Sequence, residues 1–131
     1  MFDLDNYFDR LSEWKNIRQK IQDSCDPVKV VIEYYEKAER HSLQYDPWKK
    51  DSWPTPWQLI DHNKYCSFSI ILGIIYSCML CDRFCSDEFS IVIFQQNTGE
   101  IGYTFSINNK IFNLDFQEYQ ILNVISVEQK K

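Results

Sequence analysis

Glycine, proline and histidine are all scarce in this chain: three, four and two copies in 131 residues. It holds no glycine-rich loop to cradle a phosphate, and no Ser-His-Asp order suited to a serine hydrolase. Positive charge is also in deficit. Fourteen Lys and Arg face 19 Asp and Glu, for a net charge of −5 and a pI near 5.0. General nucleic-acid binding through a basic face needs several phosphate-neutralising side chains, so no nucleic-acid partner is expected. Lys130-Lys131 reads as a solvated tail.

Long apolar runs are missing too. The uncharged stretch Tyr65 to Cys81 falls short of the roughly 20 apolar residues of a membrane span. It contains Ser67, Ser69 and Ser77 and is bracketed by Lys64 and Asp82. It reads as a buried core helix, and no membrane association is expected. The opening MFDLDNYFDR is acidic and amphipathic, unlike an export signal. Together with an odd count of five cysteines, this predicts free thiols in a reducing, cytoplasmic compartment.

What the chain does have is apolar and aromatic mass. Hydrophobic residues make up 44% and aromatics 16%, enough for a substantial core. The length suits a single domain over 1–131, with a helical pair and a Trp/Pro loop in 1–54 and the remaining elements in 55–131. Leu4, Tyr7, Phe8, Leu11, Trp14, Ile17 (or Arg18) and Ile21 recur at helical steps and predict a helix over 4–22. Asp26-Pro27 reads as an N-cap and first helical proline for a second helix. Its stripe is Val28, Val31, Ile32 and Tyr35, and its end falls near His41. Thr55, Pro56 and Gln58 fit a capping box for a short third helix over 56–62. A fourth helix is expected over about 65–83. Then the period changes. EFSIVIFQQ (88–96), IGYTFSI (101–107) and KIFNLD (110–115) read as strands separated by turns, and Tyr119 to Val127 as strand or short helix. Helices first and an antiparallel meander of three or four strands last give an α+β fold. The central helix is expected to pack on the sheet through Phe68, Ile71, Leu72, Ile75 and Met79. The opposing face would come from Ile91, Ile93, Phe105, Ile107 and Phe112 or Leu114.

Three groups of residues invite chemistry. The first centres on Cys66, at the start of the apolar helix. A helix N-terminus lowers a thiol pKa and favours a nucleophilic thiolate. A small buried hydrophobe is the bland alternative. A cysteine-headed helix followed by a strand and a hairpin resembles the transglutaminase-like (papain-like cysteine hydrolase) fold over about residues 60 to 116. The hairpin Asn109-Lys110-Ile111-Phe112 and Asp115 match that pattern. The resemblance implies Cys66 as nucleophile and Asp115 as orienting residue. Where the family places its histidine, Tyr103 or Thr104 stands. Tyrosine, with a pKa near 10, is a poor base at neutral pH. His62, four residues before Cys66, is the nearby alternative base. The missing histidine makes a non-catalytic descendant the expected form, with a thiol hydrolase or acyltransferase as the alternative.

The second group is Cys78, Cys81 and Cys85, whose steps of three and four would align three thiols on one helix face. Structural zinc is one reading, a redox pair at Cys78 and Cys81 another, and a cysteine-rich core stripe the plain one. No metal and no cofactor is expected. The third is the loop holding Trp48, Trp53 and Trp57 among Pro47, Pro54 and Pro56. It either packs on the helices or forms a binding groove for a partner. DPW…DSWPTPWQLI before a cysteine helix is similar to small proteins encoded by tailed bacteriophages of aquatic bacteria. That resemblance implies a host or phage protein as partner and the host cytoplasm as location.

Overall fold

The computed structural model describes residues 6–42, 45–112 and 119–127. Its chain divides into two compact units, Met1–Cys85 and Ser86–Lys131. Helices come first and an antiparallel sheet last, so the fold is α+β.

In the first unit, side-chain caps set where the helices begin. Asn6 accepts the Phe8 amide at 2.7 Å and opens α1, Tyr7–Asp23. The first-unit stripe then buries Arg10, Trp14, Ile17 and Ile21. Asp26 and the first-turn proline open α2, Pro27–Glu36, which buries Val31 and Tyr35. Thr55 and Gln58 form the reciprocal capping box of α3, Pro56–His62, with bonds of 3.2 and 2.8 Å. Asn63, left-handed at φ 52°, ends it. Arg10 then caps α3 from across the unit: its guanidinium donates to the carbonyls of Ile60 and Asp61 at 2.8 and 2.9 Å.

The helix α4, Ser67–Met79, is buried almost all round. Trp14, Tyr35 and Ser77 tie α1, α2 and α4 together. The Ser77 hydroxyl donates to the Gly73 carbonyl at 2.8 Å and accepts the Trp14 indole N–H, also at 2.8 Å. Its one hydrogen is thus committed, so the Tyr35 hydroxyl, 3.0 Å away, is the donor to it. Every polar atom in this small network has a partner, which is the condition for burying one at low cost.

Three helix ends differ from the sequence expectation. The first helix, expected from residue 4, begins at Tyr7 behind its Asn6 cap. The second helix stops at Glu36, short of His41. Arg40 instead bridges to Tyr65, and the His41 amide donates to the Tyr65 carbonyl at 2.9 Å. The fourth helix stops at Met79, and a 3-10 turn, Asp82–Phe84, follows. Tertiary bonds compete with the helix there. Arg83 donates to the carbonyls of Ile21, Gln22 and Ser24 at 2.9, 3.0 and 2.6 Å, capping the end of α1.

The second unit is a four-stranded antiparallel sheet: β1 Phe89–Gln96, β2 Ile101–Ile107, β3 Lys110–Ile111 and β4 Tyr119–Val127. The order is β3-β2-β1-β4, so β4 returns past the hairpin to lie beside β1. A simple meander would have placed it beside β3. Ile91 pairs with Phe105 on one side and with Ile125 on the other. Asn108 and Asn109, both at positive φ, make the β2–β3 turn. The Phe94 ring lies over Gly102 on the neighbouring strand, where a Cβ would clash with it. Of the expected core positions, Phe68, Leu72, Ile75, Met79, Ile91, Ile93, Phe105 and Ile107 are buried, whereas Ile71 and Phe112 are only half-buried. Leu114 lies outside the described residues.

Candidate functional site

Cys66 does sit at the N-cap of α4, in extended backbone (φ −101°, ψ 173°). Its surroundings are closed. The residue is 1% exposed. The Cys66 amide donates to the Ser69 hydroxyl oxygen at 2.9 Å, and the thiol points at the same oxygen at 3.4 Å. Ser69 in turn donates to the Cys66 carbonyl at 3.3 Å. This is a capping arrangement in which the Ser69 side chain reaches back to the N-cap residue.

His62 ends α3 on the exposed surface. Its Nδ1 shares a 3.2 Å hydrogen bond with the Tyr45 hydroxyl. Burial, and secondarily the nearness of Cys66, pushes the Tyr45 phenol above its ordinary pKa. His62 Nδ1 is thus engaged by Tyr45, a neutral phenol at physiological pH. Sequence reasoning did not single it out. Nothing about an isolated tyrosine in a proline- and tryptophan-bearing loop signals such a position. Tyr103 is half-buried on β2, opposite Ile93. Asp115 lies outside the described residues. A thiol catalyst needs an accessible sulfur and a base in reach of it. The structure gives Cys66 a serine and His62 a tyrosine.

The cysteine cluster separates by environment. Cys78 is buried in α4, Cys81 is buried beside the following 3-10 turn, and Cys85 is exposed at the end of that turn. With the helix ended at Met79, the three thiols do not line one helical face. Burial raises the Cys78 thiol from 9.0 to about 12 and also raises Cys81. The Cys81 thiol donates to the carbonyls of Ser77 and Arg18, each at 3.3 Å. Both are packing thiols held in the protonated form. Among the described residues, no group of three or more His, Cys, Asp or Glu is placed to hold a metal ion.

The tryptophan loop divides in two. Trp53 is buried: its indole N–H donates to the Asp46 carbonyl at 3.2 Å, and its ring lies 5.3 Å from that of Phe68. Trp48 and Trp57 stay 52% and 48% exposed, although Trp is among the residues that gain most from burial. The 3-10 turn Lys50–Ser52 lies between them. An open groove of about 500 Å³ is lined by Trp48, Lys49, Lys50, Asp51 and Ser52. The Asp46 carboxylate accepts the Trp48 amide at 2.9 Å and holds the turn. Among the described residues, no helix is long and apolar enough to cross a membrane.

Compared with protein-family models, curated proteins and solved structures, the chain matches none.

Proposed function

We propose that this protein is a non-catalytic binding module that docks a phage or host protein through the Trp48–Trp57 surface. The observation that carries this reading is the pair of exposed indoles, Trp48 and Trp57, in a chain that buries its other two tryptophans at 2% and 6%. Exposed tryptophans on firmly held backbone, Trp48 in the loop and Trp57 in the first turn of α3, are efficient interface anchors, because a large rigid ring brings much area with few rotamers to order. The loop is held by Trp53, by Asp46 and by the Tyr76 hydroxyl, which donates to the Pro54 carbonyl at 2.7 Å. The indoles are therefore presented from fixed backbone. The cysteine-headed helix supports descent from a transglutaminase-like ancestor. The closed environment of Cys66 supports the loss of its chemistry.

The test compares wild type with Trp48→Ala and Trp57→Ala in pull-downs from phage-infected host lysate, with far-UV circular dichroism to verify folding. The expected result is one or more proteins retained by wild type and lost from both folded variants. Identical retention by all three proteins sinks the reading.

A further inference from the structure

The strand β4 ends the sheet, and among the described residues no strand lies beyond it. It runs nine residues, Tyr119–Val127. Proteins usually blunt such an edge with a charge, a proline or a short strand, because its unpaired amides and carbonyls template further pairing. The strand YQILNVISV has no charge and no proline. Ile121, Leu122 and Val124 are 40%, 37% and 51% exposed. The Val124 amide donates at 2.9 Å to the carboxamide of its own neighbour Asn123, a local substitute for a ladder bond.

The strand is also complementary to itself. Turned antiparallel about Asn123, it sets Tyr119 against Val127, Gln120 against Ser126, Ile121 against Ile125 and Leu122 against Val124. Apolar meets apolar and amide meets hydroxyl at every step. No like charges meet, although the whole chain carries −5. The register shift at Ile93/Phe94 leaves Leu122 without a partner on β1. In the two-fold pair each Leu122 faces Val124 of the other copy, so this irregularity recurs on both sides of the central Asn123 pair.

We infer that β4 pairs antiparallel with β4 of a second copy of this chain, joining two four-stranded sheets edge to edge. The occupant is a second copy because the strand's own order of side chains supplies the matching partner. One strand pair buries less than the roughly 1,200–2,000 Å² of a standard interface. The dimer is accordingly weak, forming at concentrations on the order of tens of micromolar and above. The inference does not rest on the reading of the tryptophan loop, and either can fail without the other.

Sedimentation of the full chain across a range of concentrations tests it. The expected result is a rise from 15.8 kDa toward twice that mass. Val124→Lys should abolish the rise while keeping the wild-type circular dichroism spectrum. Asn123→Val, which frees the Val124 amide, should move the rise to lower concentration. Should Val124→Lys fail to fold, hydrogen exchange on wild type decides: the β4 amides should gain protection as concentration increases. A constant 15.8 kDa, a dimer untouched by a folded Val124→Lys, or β4 exchange independent of concentration overturns the inference. So does an edge that stays monomeric yet captures an extended peptide from another protein.

Discussion

The Tyr35 ring lies where a side chain on Gly73 would have to stand: a Cβ built at Gly73 meets Tyr35 Cε1 at 2.7 Å. The α2–α4 contact is set by this pair. Gly73 in mid-helix forgoes about 1 kcal/mol of helix propensity and in exchange lets the ring sit against the α4 backbone. Gly73→Ala should recover that propensity yet lose more by overpacking, for a net destabilisation of about 1–2 kcal/mol. Urea unfolding measures it, and a variant as stable as wild type would show that the ring moves aside freely.

Ser77 should be more sensitive still. Ser77→Ala removes the acceptor for both the Trp14 indole and the Tyr35 hydroxyl, each buried. Leaving buried donors unpaired costs about 1–3 kcal/mol. The paired change Ser77→Ala with Tyr35→Phe should destabilise by less than the sum of the two single changes, since one orphan is gone. Strict additivity in a double-mutant cycle would argue against the network.

Tyr65 is predicted to move the other way. Its hydroxyl is buried with no hydrogen-bond partner among the described residues. It packs beside Trp14, Tyr35 and Leu59 in a crevice too tight to admit a water. Tyr65→Phe removes an unsatisfied polar atom and keeps the ring, so stability should hold or rise by up to about 1 kcal/mol. A clear loss in calorimetry would mean that the hydroxyl has a partner in solution.

Cysteine alkylation followed by mass spectrometry separates packing thiols from reactive ones. Cys25 and Cys85 are exposed, whereas Cys66, Cys78 and Cys81 are buried. Native protein near neutral pH should label at the first two quickly. The buried three should label only through opening, slower by about 100-fold or more. Labelling of Cys66 at the rate of Cys25 would return the thiol-enzyme reading to first place.

Stability should fall in alkali. Burial raises Cys78 from 9.0 to about 12 and Tyr76 from 10.0 to about 12, and it raises Tyr35 and Tyr65 further. In each case the unfolded state gives up its proton first. The contribution is complete below about pH 9 and is lost as pH climbs through 12. Urea midpoints at about pH 8 and pH 10.5 should therefore differ, the higher pH being less stable. Equal midpoints would mean that these groups ionise alike in the folded and unfolded chain.

The third helix and the second strand were legible to the residue. The Thr55–Gln58 capping box and the alternation of IGYTFSI are local signals, satisfied within a few residues of where they are read. Fold class followed from the same periodicities. The ends of α2 and α4 were not legible, because the groups that end them, Tyr65 and the carbonyls of α1, are distant in sequence. Nor was the place of β4. A neutral strand fits either edge of a sheet, and only its pairing with β1 made it the edge strand among the described residues. Cys66 shows the limit most plainly. Its position at a helix start was written in the sequence, but its closure by Ser69 and the surrounding core was not. Trp48, Trp53 and Trp57 looked equivalent as letters. The sequence alone determined that a chain this apolar and aromatic would bury a core of helices and strands. Which indoles and which thiols remained outside was decided by tertiary packing, because burial is a property of neighbours brought together from far along the chain.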